Sequence, residues 1–197
     1  GAGVRGSGPC GGSAPRGNDS APGRLGVPVG GGARIGCEKA GFGLMMQVVL
    51  PWFSLGNSAV SLGLARAALG AAITHASGAR LEHLDSSLSD LPTIRAYLAK
   101  AWADFAAHEA LLKETAARVE TPDDGTVLAV LTTKAACNEA ALRITDSAMR
   151  VAGGAGFSNH LGIERYARDA RAGFVVAPTS HALFDSAGRA LCGMYLF

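Results

Sequence analysis

The 197 residues carry a formal net charge of +2, and only 17% of them are charged, so there is no electrostatic basis for binding nucleic acid. The length suits one domain of ordinary size with a sizeable core. The five histidines and four cysteines form neither an HExxH nor a CxxC motif. We therefore expect no metal site, and free thiols in a cytoplasmic protein.

The first 36 residues contain 13 of the 27 glycines. Such a segment has few side chains to bury, which predicts an irregular segment over residues 1–36 and a separate helical domain over 37–197. Because the chain does not begin with Met and opens in this composition, we expect it to be a fragment of a longer protein.

Residues 40–65 contain no charged side chain, a length that could span a bilayer. Polar side chains and Pro51 interrupt this stretch, and leucines recur in it at heptad spacing. We therefore predict a helix buried between other helices rather than a membrane span, with Pro51 in its first turn or at a kink and its end near Ser77. The leucines are Leu55, Leu62 and Leu69.

A second helix is predicted to begin with Ser89 or Asp90 as its cap and Pro92 in its first turn. A third is predicted to begin at the segment 121–124, TPDD, which combines a capping hydroxyl, a proline and two acids, and to end near Ala152.

The third helix carries apolar residues at alternating spacings of three and four, as in an antiparallel bundle. Asn138 and Thr145 fall within that seam, where we expect them to be core polar groups with satisfied hydrogen bonds. Together these elements predict an all-α fold, an up-down helical bundle.

Near the C-terminus, Gly153, Gly154 and Gly156 predict the end of the long helix, since glycine adopts positive φ at little cost. The stretch 161–171 reads as a short basic helix. Pro178 breaks the pattern, and Thr179 or Ser180 can cap a last helix.

The segments AMRVAGGAGF, ERYARDAR and VAPT resemble, in order and spacing, the C-terminal helical domain of the acyl-CoA dehydrogenase superfamily. The earlier segments RGNDSAP and GARIGCEKAGFGLMM resemble the end of the family's middle β domain and the entry to its helical domain, which implies that residues 1–36 are a remnant of the β domain. The resemblance implies an FAD cofactor held between a middle β domain and this helical domain, and assembly as a homodimer or homotetramer. In the family, the helical domain of a neighbouring subunit also contacts the cofactor.

The resemblance assigns cofactor contacts by position. Gly153 and Gly154 inherit a close approach of backbone N–H groups to the cofactor. Thr179 matches a threonine that could bond the flavin phosphate or ribose. Arg80 is the nearest match to an arginine that meets the diphosphate. A helix-stop glycine, a helix cap and a solvated arginine are the structural alternatives.

The resemblance also implies a catalytic glutamate, and this sequence lacks it. One family position for that base aligns with Ala177, and a second subgroup's position aligns with Phe53. An arginine that helps to hold CoA aligns near Ser54. His181 is the titratable side chain closest to Ala177, and it is either a replacement proton carrier or a surface residue.

Three functions remain open. The first is an FAD-dependent oxidoreductase that oxidises a CH–CH bond of an acyl thioester, with an atypical base and an unknown electron acceptor. The second is a flavin-dependent monooxygenase on the same fold. The third is a non-catalytic, truncated helical domain that serves oligomerisation.

Overall fold

The computed structural model describes residues 39–81 and 85–194, and most of these are helical. The predicted irregular segment and the boundary after residue 36 lie outside the described residues. One small antiparallel pair, β1 with β2, joins two of the long helices. The elements are α1 (Lys39–Leu44), a π-helical turn (Met45–Val49), α2 (Leu50–Gly78), β1 (Arg80–Leu81), β2 (Ser86–Ser87), α3 (Pro92–Glu120), α4 (Thr126–Ala152), α5 (Ile163–Val175) and α6 (Ser180–Leu191).

The helix α2 packs along the whole length of α4, and the two run parallel. Leu50 lies with Leu131 where both helices begin, and Ala76 lies with Val151 where both end. Pro51 is in the first turn of α2, as predicted. By length and composition the stretch Met45–Gly78 could cross a bilayer. The buried face of α2 contributes to a core shared with α3, α4 and α5.

The helices α3 and α5 run antiparallel to this central pair, which confirms the predicted helical bundle. Asp104 of α3 accepts two hydrogen bonds from Arg143 of α4, at 2.9 and 3.0 Å. Further along, the hydroxyls of Thr115 and Thr133 lie 2.7 Å apart. In these contacting pairs the residue number rises along α3 while it falls along α4, so the two helices are antiparallel. Helix α3 thus connects the end of α2 to the start of α4, which lie at opposite ends of the bundle.

The predicted cap of α3 is wrong. Neither Ser89 nor Asp90 caps it; Leu91 occupies that position without a side-chain hydrogen bond. The capping residues belong to a preceding 3₁₀ turn, where the Asp90 carboxylate accepts a hydrogen bond from the Ser87 backbone N–H at 2.7 Å. The same bonds to Ser87 lower the pKa of Asp90. A capping signature therefore marks the nearest turn, which need not be the long helix.

The predicted start of α4, with Pro122 as its first residue, is also wrong by four residues, because the helix begins at Thr126. The segment 121–125 forms a connecting turn, in which the Asp123 carboxylate accepts from the Gly125 backbone N–H at 3.0 Å and from the Thr126 hydroxyl at 2.9 Å. Helix α5 likewise begins later than expected, at Ile163, because Gly162 before it has a φ of +64°.

A buried polar network links three helices at the centre of the bundle. Ser61 of α2 donates to the Asn138 side-chain carbonyl at 2.7 Å, and the Asn138 amide donates to the Gly173 carbonyl of α5 at 2.7 Å. Thr145 bonds the Ala141 carbonyl of its own helix at 2.8 Å. Both predicted core polar residues are therefore satisfied, as expected.

We expect Gly173→Ala to destabilise the fold by about 1–3 kcal/mol, the usual cost of overpacking. A Cβ there would lie 2.5 Å from the Ser61 Oγ and 3.0 Å from the Asn138 Oδ1. The measurement is the free energy of unfolding in urea. Gly70→Ala is the matched control, since that helical glycine has open space around it. The control should be neutral or stabilising by roughly 0.5–1 kcal/mol. Equal stability of Gly173→Ala and the control would contradict the tight contact.

Candidate functional site

The residues predicted to form one site lie at two opposite ends of the bundle. Arg80, Gly153 and Gly154 lie where α2 and α4 finish, which we call the glycine end. Phe53, Ala177, Thr179 and His181 lie where α2 and α4 begin, which we call the turn end. The turn end lies over Lys134 of α4, and at 1.5 Å per residue the helix from there to Ala152 is about 27 Å long.

The glycine end offers exposed backbone. Gly153 ends α4 with a φ of +55°, which a side chain would strain, and a Cβ at Gly153 or Gly154 would meet no atom within 4 Å. Gly156 differs, because a Cβ there would lie 3.2 Å from the Ala152 side chain. Arg80 lies in β1 with its guanidinium exposed and 3.7 Å from the Asp85 carboxylate. The open face around Gly153 and Gly154 allows a ligand to approach the main chain closely.

The turn end is built on four residues, 176–179, that connect α5 to α6. Ala177 and Thr179 are exposed, and the peptide bond between Ala177 and Pro178 is cis. Thr179 caps α6, because its hydroxyl oxygen accepts from the Ala182 N–H at 3.4 Å. The predicted capping role of Thr179 is thereby confirmed, and its hydroxyl hydrogen is still available for a further bond.

Lys134 of α4 lies directly beneath this turn, and no feature of the sequence analysis identified it. Its side chain is fully buried, and the ammonium donates to the Val176 carbonyl at 3.1 Å and to the Pro178 carbonyl at 2.8 Å. The ammonium also lies 5.2 Å from the centre of the Phe53 ring. Burial lowers the pKa of Lys134. A signal existed: residue 134 falls three residues after Leu131 and four before Asn138, on the buried face of α4.

Lys134 therefore brings the two aligned base positions to the same place. Its ammonium contacts the Phe53 ring and the carbonyls on both sides of Ala177. Phe53 is 45% exposed, and neither position carries a group that can accept a proton. Two alignments that place the base far apart in sequence thus identify one location in space, at the turn end.

The remaining turn-end residues differ in what they can reach. His181 is exposed in the first turn of α6, with its ring 5.6 Å from that of Phe174. Ser54 is fully buried, so it cannot project toward a ligand as an arginine at that position would. In the described part of the chain, three buried side-chain oxygens lack a hydrogen-bond partner: those of Ser54, Asn57 and Ser180. Ser54 and Asn57 lie within the first eight residues of α2, and Ser180 is the first residue of α6.

Comparison with known proteins agrees with this architecture. Residues 39–190 match the family described as acyl-CoA dehydrogenase, C-terminal domain, and the chain belongs to that family. A curated relative, cyclohex-1-ene-1-carbonyl-CoA dehydrogenase of Geobacter metallireducens, is 28% identical over 157 residues, which are 80% of this chain and 40% of the relative. The chain thus spans well under half the length of that relative.

Solved structures share the fold. Butyryl-CoA dehydrogenase from Megasphaera elsdenii superposes with a TM-score of 0.70 at 23% identity, over 75% of this chain and 38% of that one. XiaF from Streptomyces sp., in complex with FADH2 and glycerol, gives 0.67 at 18% identity, over 74% and 39%. At these identities the likeness establishes the helical fold.

Burial of Lys134 predicts a pH dependence of stability. The pKa of Lys134 in the folded chain lies below the ordinary 10.5. Between these two pKa values, the Lys134 side chain binds a proton more fully in the unfolded chain than in the folded chain. The free energy of unfolding of the wild type, relative to Lys134→Met, should therefore rise with pH through that window and level off above it.

Urea unfolding from neutral pH to pH 10.5 measures this difference. Lys100→Met removes an exposed lysine of α3 and should retain the wild-type pH dependence. If the free energy of unfolding depends on pH in the same way in the wild type and in Lys134→Met, burial does not lower the pKa of Lys134.

Proposed function

We propose that this chain is the helical half of an FAD-dependent oxidoreductase of the acyl-CoA dehydrogenase type, which oxidises a CH–CH bond of an acyl thioester with an atypical base. The observation that carries the proposal is the convergence of Phe53 and Ala177 around Lys134. Membership of the family, and a relative named as a CoA dehydrogenase, support the substrate class.

The two ends of the bundle suit the two ways in which a helical domain of this family meets FAD. We propose that the open main chain at Gly153 and Gly154 approaches one cofactor closely, with Arg80 on the same end, and that Thr179 donates its hydroxyl to another. Ends about 27 Å apart along α4 favour two cofactors in an oligomer over one cofactor bound by a single subunit.

The fit of these residues to FAD rests on their donors and their openness. The glycine end has open space over its main chain, and the turn end has an exposed Thr179, whose hydroxyl oxygen accepts from the Ala182 N–H and leaves its hydrogen to donate. When bound, FAD supplies a hydride acceptor. The chain's own task is then to hold the cofactor, keep water away and remove a proton.

Proton removal is where this chain departs from its family. Positioned general bases typically contribute 10²–10⁴-fold, and residues 53 and 177 contribute none. We propose His181 as the proton carrier, because it is exposed four residues beyond Ala177 and an imidazole nitrogen can accept a proton. Its ring contact with Phe174 limits its orientation at the start of α6.

The missing carboxylates also favour a second candidate, a flavin-dependent monooxygenase, since that chemistry does not need an α-proton base.

A third candidate, a non-catalytic oligomerisation domain, is favoured by apolar side chains exposed just before and within the first turn of α2. These are Leu44, Met45, Val48, Val49, Trp52 and Phe53.

The reaction is tested in the natural polypeptide that contains these 197 residues. We expect slow flavin bleaching under anaerobic conditions with straight-chain acyl-CoA esters. If His181 carries the proton, His181→Ala should reduce the rate by about 10²-fold or more, the lower range for loss of a general base. If CoA binds, Ala177→Glu should increase the rate, because it restores a carboxylate at a family position for the base.

Ala177→Gln is the matched control, with similar size and no basic group. Fast bleaching in the wild type that is insensitive to His181→Ala would place the base outside this chain. No bleaching, combined with substrate-dependent oxygen consumption once the flavin is reduced, would favour the monooxygenase.

Self-association is tested through two tryptophans of similar exposure, Trp52 in α2 at 55% and Trp102 in α3 at 57%. Light scattering should show oligomers of the wild-type chain, because the apolar surface around Trp52 is contiguous along the sequence. Trp52→Arg should shift the mass toward a monomer, whereas Trp102→Arg should leave it unchanged. A monodisperse wild-type monomer at high concentration would contradict association through this surface.

A further inference from the structure

We infer that Lys134 is a positioning residue, which holds the connection 176–179 against α4 and thereby sets where Thr179 and the start of α6 lie. The connection leaves α5 at Val176, whose N–H bonds back to the Ala172 carbonyl. The carbonyls of Val176 and Pro178 both accept from the Lys134 ammonium.

A simple space-filling role does not account for Lys134. Among the described residues, Lys134 is the largest side chain that is fully buried. Methionine or leucine would fill the same core without a charge. No ion pair of Lys134 is found among the described residues. Its charge is instead met by two main-chain carbonyls and by the Phe53 ring, the arrangement expected where a lysine satisfies backbone groups that lie outside any helix.

The contacts of Lys134 join three separate parts of the chain. Its two carbonyl acceptors lie 42 and 44 residues further on, and Phe53 lies in the first turn of α2. One side chain therefore contacts the turn, α4 and the beginning of α2 together. Thr179 follows Pro178 directly and accepts from the Ala182 N–H, so its position depends on this anchor.

The consequence for cofactor binding rests on the proposed role of Thr179 at the flavin. If Lys134 is lost, Thr179 keeps its hydroxyl but samples more positions, and binding must then select one of them. The affinity for FAD should fall although no residue that touches FAD has been changed.

The first test uses the natural polypeptide that contains these 197 residues. Hydrogen exchange should accelerate at the amides of Ala182 and Leu183, which both bond to Thr179, by at least about tenfold in Lys134→Met, the size expected when a charged donor is lost. Ile144→Val, a mild truncation ten residues further along α4, should leave these two amides at wild-type rates relative to the rest of α6.

If Lys134→Met does not fold, Lys134→Gln decides the same question, because its shorter amide retains neutral donors and preserves more polarity. In Lys134→Gln, exchange at the same two amides should be faster than in the wild type but slower than in Lys134→Met, which lacks every side-chain donor. Wild-type exchange at Ala182 and Leu183 in a folded Lys134 variant, or acceleration spread evenly over the bundle as in Ile144→Val, would overturn the positioning role.

The second test measures FAD affinity in the natural polypeptide. Lys134→Met should raise the Kd for FAD by about tenfold, and Lys134→Gln by less, in parallel with the exchange rates. Faster exchange with an unchanged Kd would leave Lys134 as the anchor of the turn and refute the proposed contact of Thr179 with FAD. A weaker Kd with unchanged exchange would refute positioning, because Lys134 would then act on the cofactor by another route.

Discussion

The side chain of Asn138 sets the register on which the rest of the bundle depends. It accepts from Ser61 and donates to the Gly173 carbonyl, so α2, α4 and α5 are aligned at one buried point. A buried amide is costly unless both of its ends are paired, and sliding any of these helices by one turn would leave an end unpaired. Gly173 completes the constraint, because only a residue without a Cβ lets α5 approach so closely.

This register decides what each end of the bundle contains. With Asn138 paired to Ser61, the parallel helices α2 and α4 begin together and end together. Phe53 then lies beside Lys134 at one end, and Arg80 lies with the glycine turn at the other. The antiparallel return of α5 delivers the connection 176–179 to the end where Lys134 lies. The separation of the two candidate sites is thus a consequence of helix direction and of one buried hydrogen-bonded contact.

The bundle could be predicted from apolar spacing, because burial of one helix face is a property of neighbouring residues. Asn138 and Thr145 were identified for the same reason, since polar groups in an apolar seam need partners. The starts of α3 and α4 were not predictable in this way. Ser87 and Asp90, or Asp123 and Thr126, satisfy a short turn as well as they would a long helix.

Lys134 escaped prediction because lysine is usually a surface residue, and all its partners are distant in sequence. Phe53 and Ala177 could be aligned individually, yet only the folded chain shows that both lie at one ammonium. The division of the candidate residues between two ends was equally hidden, since a sequence motif carries no information about the length of helix that separates its parts in space.

The anchoring of the turn also explains how position 177 can lack a carboxylate without disturbing the fold. Lys134 binds the main-chain carbonyls of Val176 and Pro178, and these are present whatever side chain residue 177 bears. The exposed methyl of Ala177 contributes little to the bundle. A side chain at this position is therefore free to change with the chemistry, while the backbone that presents it stays in place. Fold and reaction are separable here for a specific reason: the scaffold holds the turn by its backbone, and proton transfer depends on its side chains.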